Sequence, residues 1–525
     1  MKKTIILLVI LIASAVIRLT GIQWGLPNKF HTVTYHPDEN THLVKLQAMN
    51  PSKLNFNPVS ERDPYALGEG TFFLYQYAAT LKILSFIKYI KIVNNEEYYF
   101  NNINEWRKFF LVGRLLSVIY GVLTILVTFI VAKKMYGFRT GILAALFLGL
   151  APVHVTYSQY LLMNVPGVLW IVLAFVFFKN ILDSGKQKDY ILAGVCIGFA
   201  ISTRYSAGPL LLVLIVTHFL RKEIKELKKL VFGLTAMVFS FLIGTPYAIL
   251  DYPNFIKGIK SPIAVAGISS ANYSILPLYG SFLESFGIFL LILCLIGILY
   301  AIIKRKSEDY IILTWIFILL FFFIRAGVNA FPGRILPIVP FLIILGANLT
   351  NNIWNKKAVL GLFMTILILL TILPFSLALL KLRTEPDLRD VSSEWIENNI
   401  TAGSSIGLLR EPSWFSPGIV DRKYRHPEYL NLPNYKFILL NGDLPSYPGY
   451  IKLKKNLPDY LIISDVEINL LNEPGFLNKL KEKYHYENIE NFDKSFSIFN
   501  IRVNRQIPEM IRVPNYISIF KKNKS

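Results

Sequence analysis

Apolar runs of about the length that crosses a bilayer recur along the first 380 residues, separated by short polar tracts rich in Lys and Arg. A membrane helix needs about 20 predominantly apolar residues. Segments 4–22, 110–131, 139–157, 164–182, 190–203, 206–220, 229–248, 281–303, 309–325, 334–350 and 358–380 meet or approach that length. The pattern therefore predicts about eleven transmembrane helices. Segments 190–203 and 206–220 are short, and the intervening TRYSAG predicts a break between half-length helices. The stretch TFFLYQYAATLKILSFIKYI, 71–90, is apolar but carries Lys82 and Lys88, so it reads as a helix lying along the interface. Beyond residue 384 the pattern changes. WIENNITAGSSIGLL and PDYLIISD alternate short helical and strand-like patterns with proline-rich turns, which predicts a soluble α/β domain with its own core.

Composition agrees with a membrane protein. With 53% hydrophobic residues, 14% aromatics and a mean hydropathy of +0.45, a chain of 525 residues is too apolar for a string of soluble domains. The net charge of +21 could suggest nucleic acid, but the basic residues concentrate in the tracts between apolar runs. There they obey the positive-inside rule: MKK, 132–139, 185–188, 221–229, 304–306 and 355–357 all fall on one side if the N-terminus is cytoplasmic. No nucleic-acid partner is expected. The same topology puts residues 23–109, the loop 249–280, the tip FPGR at 331–334 and everything after 384 outside the cytoplasm. MKK, an apolar stretch and Ala13-Ser14-Ala15 also have the order of a secretory signal peptide, and the topology is the same if it is cleaved. Cys196 and Cys294, the only cysteines, lie inside apolar runs and exclude a disulfide framework or a cysteine-based zinc site.

The outward-facing chemistry begins at YHPDENTH, 35–42. A proline followed by Asp38 and Glu39 suits a helix start, where a carboxylate is electrostatically favoured. His36, Asp38 and His42 are competent zinc ligands, although their spacing matches no strong signature. Asp38 could also serve as general base beside a membrane-embedded substrate. In HVTYSQYLLMNVPGVLW, 154–170, Asn164 with Pro166 reads as an N-cap and first turn, and the topology puts Asn164 on the same outer face as Asp38. Arg204, at the TRYSAG break, and Arg334, in FPGRILPIVP, are cations near the outer surface. Such residues either snorkel or grip an anion such as a lipid phosphate.

WGLP followed by HPDE, then YSQYLLMNVP, GFAISTRYSAGP, GTPYAILDYP and RILPIVPFL, in that order, resemble the protein-mannosyltransferase-like group of GT-C membrane glycosyltransferases, which includes aminoarabinose transferases of lipid A. The resemblance covers about 1–380, and DLRDVSSEWIENNI with LPDYLIIS looks like the outer domain of bacterial and archaeal members. It implies an all-α polytopic membrane domain over 1–383, with 23–109 as a long first outer loop, followed by an extracytoplasmic α/β domain over 384–525. It further implies transfer of a sugar, with inversion, from a polyprenyl-phosphate-linked donor to a lipid, glycan or protein acceptor at the outer face. Asp38 and Glu39 match the group's Asp-Glu pair, with the Asp catalytic. His36, Asn164, Arg204 and Arg334 become substrate-binding candidates. Group members commonly carry an acidic residue where this chain has Asn164, and Asn cannot take a proton, so the departure bears on activity or substrate choice. No phosphate-binding GxxxxGK[ST] loop occurs. A divalent metal ion held by His36, Asp38 and Glu39 stays open. The rival readings are a lipid-sugar transporter, which internal repeats would favour, and a non-catalytic relative that binds a polyprenyl lipid.

Overall fold

The computed structural model describes residues 2–221, 226–265, 276–326, 332–409, 415–418, 435–439, 457–471, 475–494, 497–498, 501–502 and 514–523. Parts of the expected basic tract 221–229 and outer loop 249–280, and Phe331 of the FPGR tip, lie outside them. Helices run in the order α1 (Lys2–Leu19), α2 (Pro37–Gln47), α3 (Phe72–Phe86), α4 (Glu96–Asn101), α5 (Ile103–Tyr136), α6 (Phe138–Leu150), α7 (Pro152–Tyr157) and α8 (Asn164–Ser184). They continue with α9 (Gln187–Thr203), α10 (Leu210–Leu220), α11 (Leu227–Gly244), α12 (Tyr247–Leu250), α13 (Tyr252–Val265), α14 (Leu276–Phe286) and α15 (Ile288–Lys304). Next come α16 (Ser307–Ala326), α17 (Pro332–Ile335), α18 (Val339–Lys356), α19 (Ala358–Thr384) and α20 (Leu388–Asn399), and the C-terminal part adds α21 (Asp465–Leu471) and α22 (Phe476–Glu482).

Each predicted span coincides with a helix or a broken pair of helices. By length and apolarity alone, α5, α8, α11, Ser307–Ile324 and Ala358–Asn399 can cross a membrane, and Phe138–Leu150, Tyr205–Leu220 and Ile288–Lys304 are shorter apolar helices. The remaining predicted spans correspond to α1, α9 and α18. The protein is a multi-pass membrane protein. At TRYSAG the break is real: α9 ends at Thr203, Arg204 is extended (φ −152°, ψ 114°), and a single 3₁₀ turn at Tyr205–Ala207 precedes α10. The stretch 71–90 forms α3, with Phe73, Leu74, Tyr77 and Leu81 buried along one stripe and Ile83 and Phe86 exposed.

The chain divides into two compact units, one of residues 1–22, 41–89 and 112–379, the other of 23–40, 90–111 and 380–525. In the first unit, small residues let helices approach closely. A Cβ on Gly194 of α9 would lie 2.0 Å from the Gly233 carbonyl oxygen of α11, and one on Gly198 would lie 2.0 Å from Ser240 Oγ. Near its C-terminal end α9 meets α3, where Phe72 stacks on Phe199 with centroids 4.2 Å apart.

The second unit is built on strands β1 (Ser405–Leu408), β2 (Lys436–Leu439), β3 (Tyr460–Ser464), β4 (Tyr486–Asp493), β5 (Ser497–Ile498), β6 (Ile501–Arg502) and β7 (Tyr516–Lys522). Five of them form a mixed sheet in the order β2-β1-β3-β7-β4, with β1 parallel to β2 and β3, and β7 antiparallel to β3 and β4. Alternating residues of β3 face opposite sides, as strand geometry requires. Ile462 joins Leu388 and Ile396 of α20, with Ile406 and Ile519, on one face. Leu461 and Ile463 join Phe476 and Leu480 of α22 on the other. Because both faces are covered, β3 reads as the continuous apolar run YLIIS rather than as an alternating one.

Candidate active site

In the second unit, the acidic pair opens α2 as expected: Pro37 starts the helix and both Asp38 and Glu39 lie in its first turn. The segment before it is tightly bonded. Thr34 Oγ1 donates to the His36 carbonyl at 2.9 Å, and the Glu39 amide donates to the same carbonyl at 3.2 Å. The two carboxylates differ in environment. Asp38 is exposed, whereas Glu39 is 0% exposed and His36 is buried. Of the pair, only Asp38 is open to solvent.

In the first unit, later turns of α2 carry His42 and Lys45, both buried. Lys45 Nζ donates to Glu69 Oε2 at 2.9 Å. The Lys45 ammonium holds the Glu69 carboxyl down at about 2, with His42 and Arg204 adding to the same direction, although half of the Glu69 side chain is open to solvent. Glu69 is followed by Gly70, whose missing Cβ would lie 2.0 Å from the Ser202 carbonyl oxygen, so only glycine lets this loop reach the end of α9. Neither Lys45 nor Glu69 was singled out from the sequence. The available signal was the helical spacing of Asp38, His42 and Lys45, which puts them on one face of α2.

A second cluster of the first unit forms around Gly333. Its carbonyl accepts hydrogen bonds from Asn164 Nδ2 at 3.0 Å and Arg204 Nη1 at 3.3 Å, and its amide donates to Tyr157 Oη at 2.9 Å. Arg334 follows in the same turn and is half-buried. Three residues far apart in sequence, Asn164, Arg204 and Arg334, thus meet at one backbone turn. The expected N-cap is not made: Met163 occupies that position with no side-chain bond to the helix, and Asn164 is the first residue of α8. Its amide turns outward because the Gly333 carbonyl offers a tertiary acceptor that a local reading cannot see.

Among the described residues no group of three His, Cys, Asp or Glu side chains stands where it could hold a metal ion. The zinc reading of His36, Asp38 and His42 finds no support among them.

Residues 107–249 match the family model described as dolichyl-phosphate-mannose-protein mannosyltransferase. No curated protein matches the sequence. Among solved structures, the chain is similar to ArnT from Cupriavidus metallidurans bound to undecaprenyl phosphate, with a TM-score of 0.50, 13% identity and 97% of each chain covered. It is also similar to the oligosaccharyltransferase AglB from Archaeoglobus fulgidus in complex with an inhibitory peptide and a dolichol-phosphate, with a TM-score of 0.50, 13% identity, and 95% of this chain and 75% of that one covered. In another structure of the Archaeoglobus fulgidus oligosaccharyltransferase, tethered with an acceptor peptide, the match has a TM-score of 0.47 at 12% identity and covers 75% of this chain but only 57% of the relative. At such identities the likeness speaks for fold alone. The family match at 107–249 and the fold shared along nearly the whole length both agree with the GT-C resemblance of the ordered motifs.

Proposed function

We propose that the protein transfers a sugar from a polyprenyl-phosphate-linked donor to an acceptor at the outer membrane face, with Asp38 as general base. The observation that carries this reading is the contrast at the start of α2: Asp38 is exposed and Glu39 is completely buried, so the pair divides into a reactive and a supporting carboxylate. The donor class is supported by the lipid phosphates named with ArnT and AglB, and by the guanidinium groups of Arg204 and Arg334 at the Gly333 turn.

The chemistry is a single displacement. An acceptor hydroxyl attacks the anomeric carbon, and Asp38 takes its proton as the new glycosidic bond forms. The bond from that carbon to the phosphate oxygen breaks, the phosphate leaves with the electron pair, and the anomeric centre inverts. Arg204 and Arg334 meet the charge on the departing phosphate, where charge-assisted bonds are strongest.

Cells lacking the protein provide the test, through mass analysis of their surface lipids and glycans. A sugar absent from those cells should return with the wild-type gene. With Asp38→Asn it should return at a rate lower by about 10²-fold or more, the scale of a lost general base. Full restoration by a well-folded Asp38→Asn protein would overturn the assignment.

A further inference from the structure

The mechanism above leaves the second unit's sheet domain without a role, yet the segment that carries Asp38 is bonded to it. Tyr35, three residues before Asp38, is 1% exposed. Its hydroxyl donates to Asp390 Oδ1 at 2.6 Å. The same oxygen accepts from Asn28 Nδ2 at 3.0 Å and lies 3.4 Å from His31 Nε2. Burial pushes the Asp390 carboxyl up, but the contacts with His31, Tyr35 and Asn28 outweigh it and hold the group below its ordinary value. Asp390 is thus a charged acceptor for Tyr35 and Asn28, with the His31 ring beside it, all more than 350 positions earlier in the chain.

The ring of Tyr35 is gripped as well. The Arg389 guanidinium lies 3.4 Å from its centroid on one side, and the His31 ring stacks at 4.2 Å. Arg389 is itself fixed by paired bonds, Nε to Asp387 Oδ1 at 2.8 Å and Nη2 to Asp387 Oδ2 at 2.9 Å. Asp387 caps α20 by accepting from the Arg389 amide. The Tyr35 amide donates to the Gly25 carbonyl at 3.0 Å. Gly25 has φ +62°, and a Cβ there would fall 2.7 Å from the Tyr35 ring. A continuous path therefore runs from the sheet core, through Leu388 and Ile396 of α20, to Asp387, Arg389 and Asp390, and on to the residues just ahead of Asp38.

We propose that the C-terminal α/β part holds the Asp38 segment in its working conformation, with Asp390 as the positioning residue and Tyr35 as its handle. The inference rests on the reading of Asp38 as general base, since its consequence for transfer passes through that carboxylate. An ordered approach matters there because a base displaced by about 1 Å loses much of its effect.

Hydrogen exchange of the full-length protein in lipid nanodiscs tests the structural half without an activity assay. In Asp390→Ala and the milder Tyr35→Phe, amide exchange across residues 31–40 should rise by about 10-fold or more, the range set by one lost charge-assisted hydrogen bond. Exchange in strands 460–464 and 516–522 should stay as in the wild type. Asp390→Asn, which keeps an acceptor oxygen for Tyr35, should restore most of the protection. In the complementation assay, Tyr35→Phe should slow transfer on its own but add nothing in an Asp38→Asn background. Unchanged exchange across 31–40, or an equal rise throughout the sheet, overturns the inference whatever Asp38 does. Additive losses in the double variant overturn its link to catalysis. Full transfer by Asp38→Asn alone overturns the base assignment instead, an outcome the exchange measurement does not read.

Discussion

Two adjacent carboxylates with opposite exposure carry the proposed chemistry at residue scale, and the same scale carries two further predictions. Arg204 and Arg334 should contribute to binding undecaprenyl phosphate, used as a probe; changing either to Gln should weaken its affinity by about 10-fold, a typical charge-assisted pair. Unchanged affinity in both would leave them as structural anchors of the Gly333 turn. The resemblance puts an acidic residue where this chain has Asn164, but the local bonding favours the amide. The Gly333 carbonyl needs a donor from residue 164, and a carboxylate there would instead draw on the Arg204 guanidinium. Glu69 is the clearest pH-dependent group. Its folded pKa, about 2, lies below the ordinary 4.5, so its contribution to stability is complete above about 4.5 and is lost as the pH falls toward 2. Lys45→Met removes the leading cause, and acid unfolding should then begin at a higher pH. An unchanged acid-unfolding profile would show that the pair contributes nothing to stability.

At the scale of elements, the approach of α9 to α11 is set by what glycine lacks. Gly194→Ala drives a methyl group into the Gly233 carbonyl, a backbone atom that cannot step aside, and overpacking of this kind costs about 1–3 kcal/mol. Thermal unfolding in detergent should show a clear drop, while Gly280→Ala, where a Cβ meets nothing within 4 Å, serves as the control. The GVCIG spacing at 194–198 was present in the sequence, but the pairing partner was not. Many helices could have met that face. The break at TRYSAG, by contrast, was legible from two half-length apolar runs, because a span too short for the bilayer has to be interrupted or paired.

For the whole molecule, topology is the property on which every outer-face assignment depends. A reporter fused after residue 384 should be active only outside the cytoplasm, and one placed in the 185–188 loop only inside. A cytoplasmic C-terminal part would overturn the outer placement of Asp38. The units of the structure also cut across the linear order. Residues 23–40 and 90–111, read from the sequence as part of one long outer loop, belong with the C-terminal sheet, and Trp106 Nε1 donates to the Thr32 carbonyl within that unit at 2.7 Å.

What the sequence determined by itself follows from solvent and period. Runs of apolar residues have few ways to satisfy their backbone in lipid other than as helices, so the eleven segments were readable one by one. Alternating and continuous apolar runs between turns likewise announced a sheet beyond 384. Pro37 and the acidic pair marked the start of α2 because helix starts are governed by neighbouring residues. Only the tertiary structure decided which of Asp38 and Glu39 is exposed, that Asn164 serves Gly333 rather than its own helix, that Lys45 and Glu69 pair, and that Asp390 grips Tyr35. Burial and hydrogen bonding between positions tens to hundreds of residues apart depend on how elements pack, and no local pattern in the chain encodes that packing.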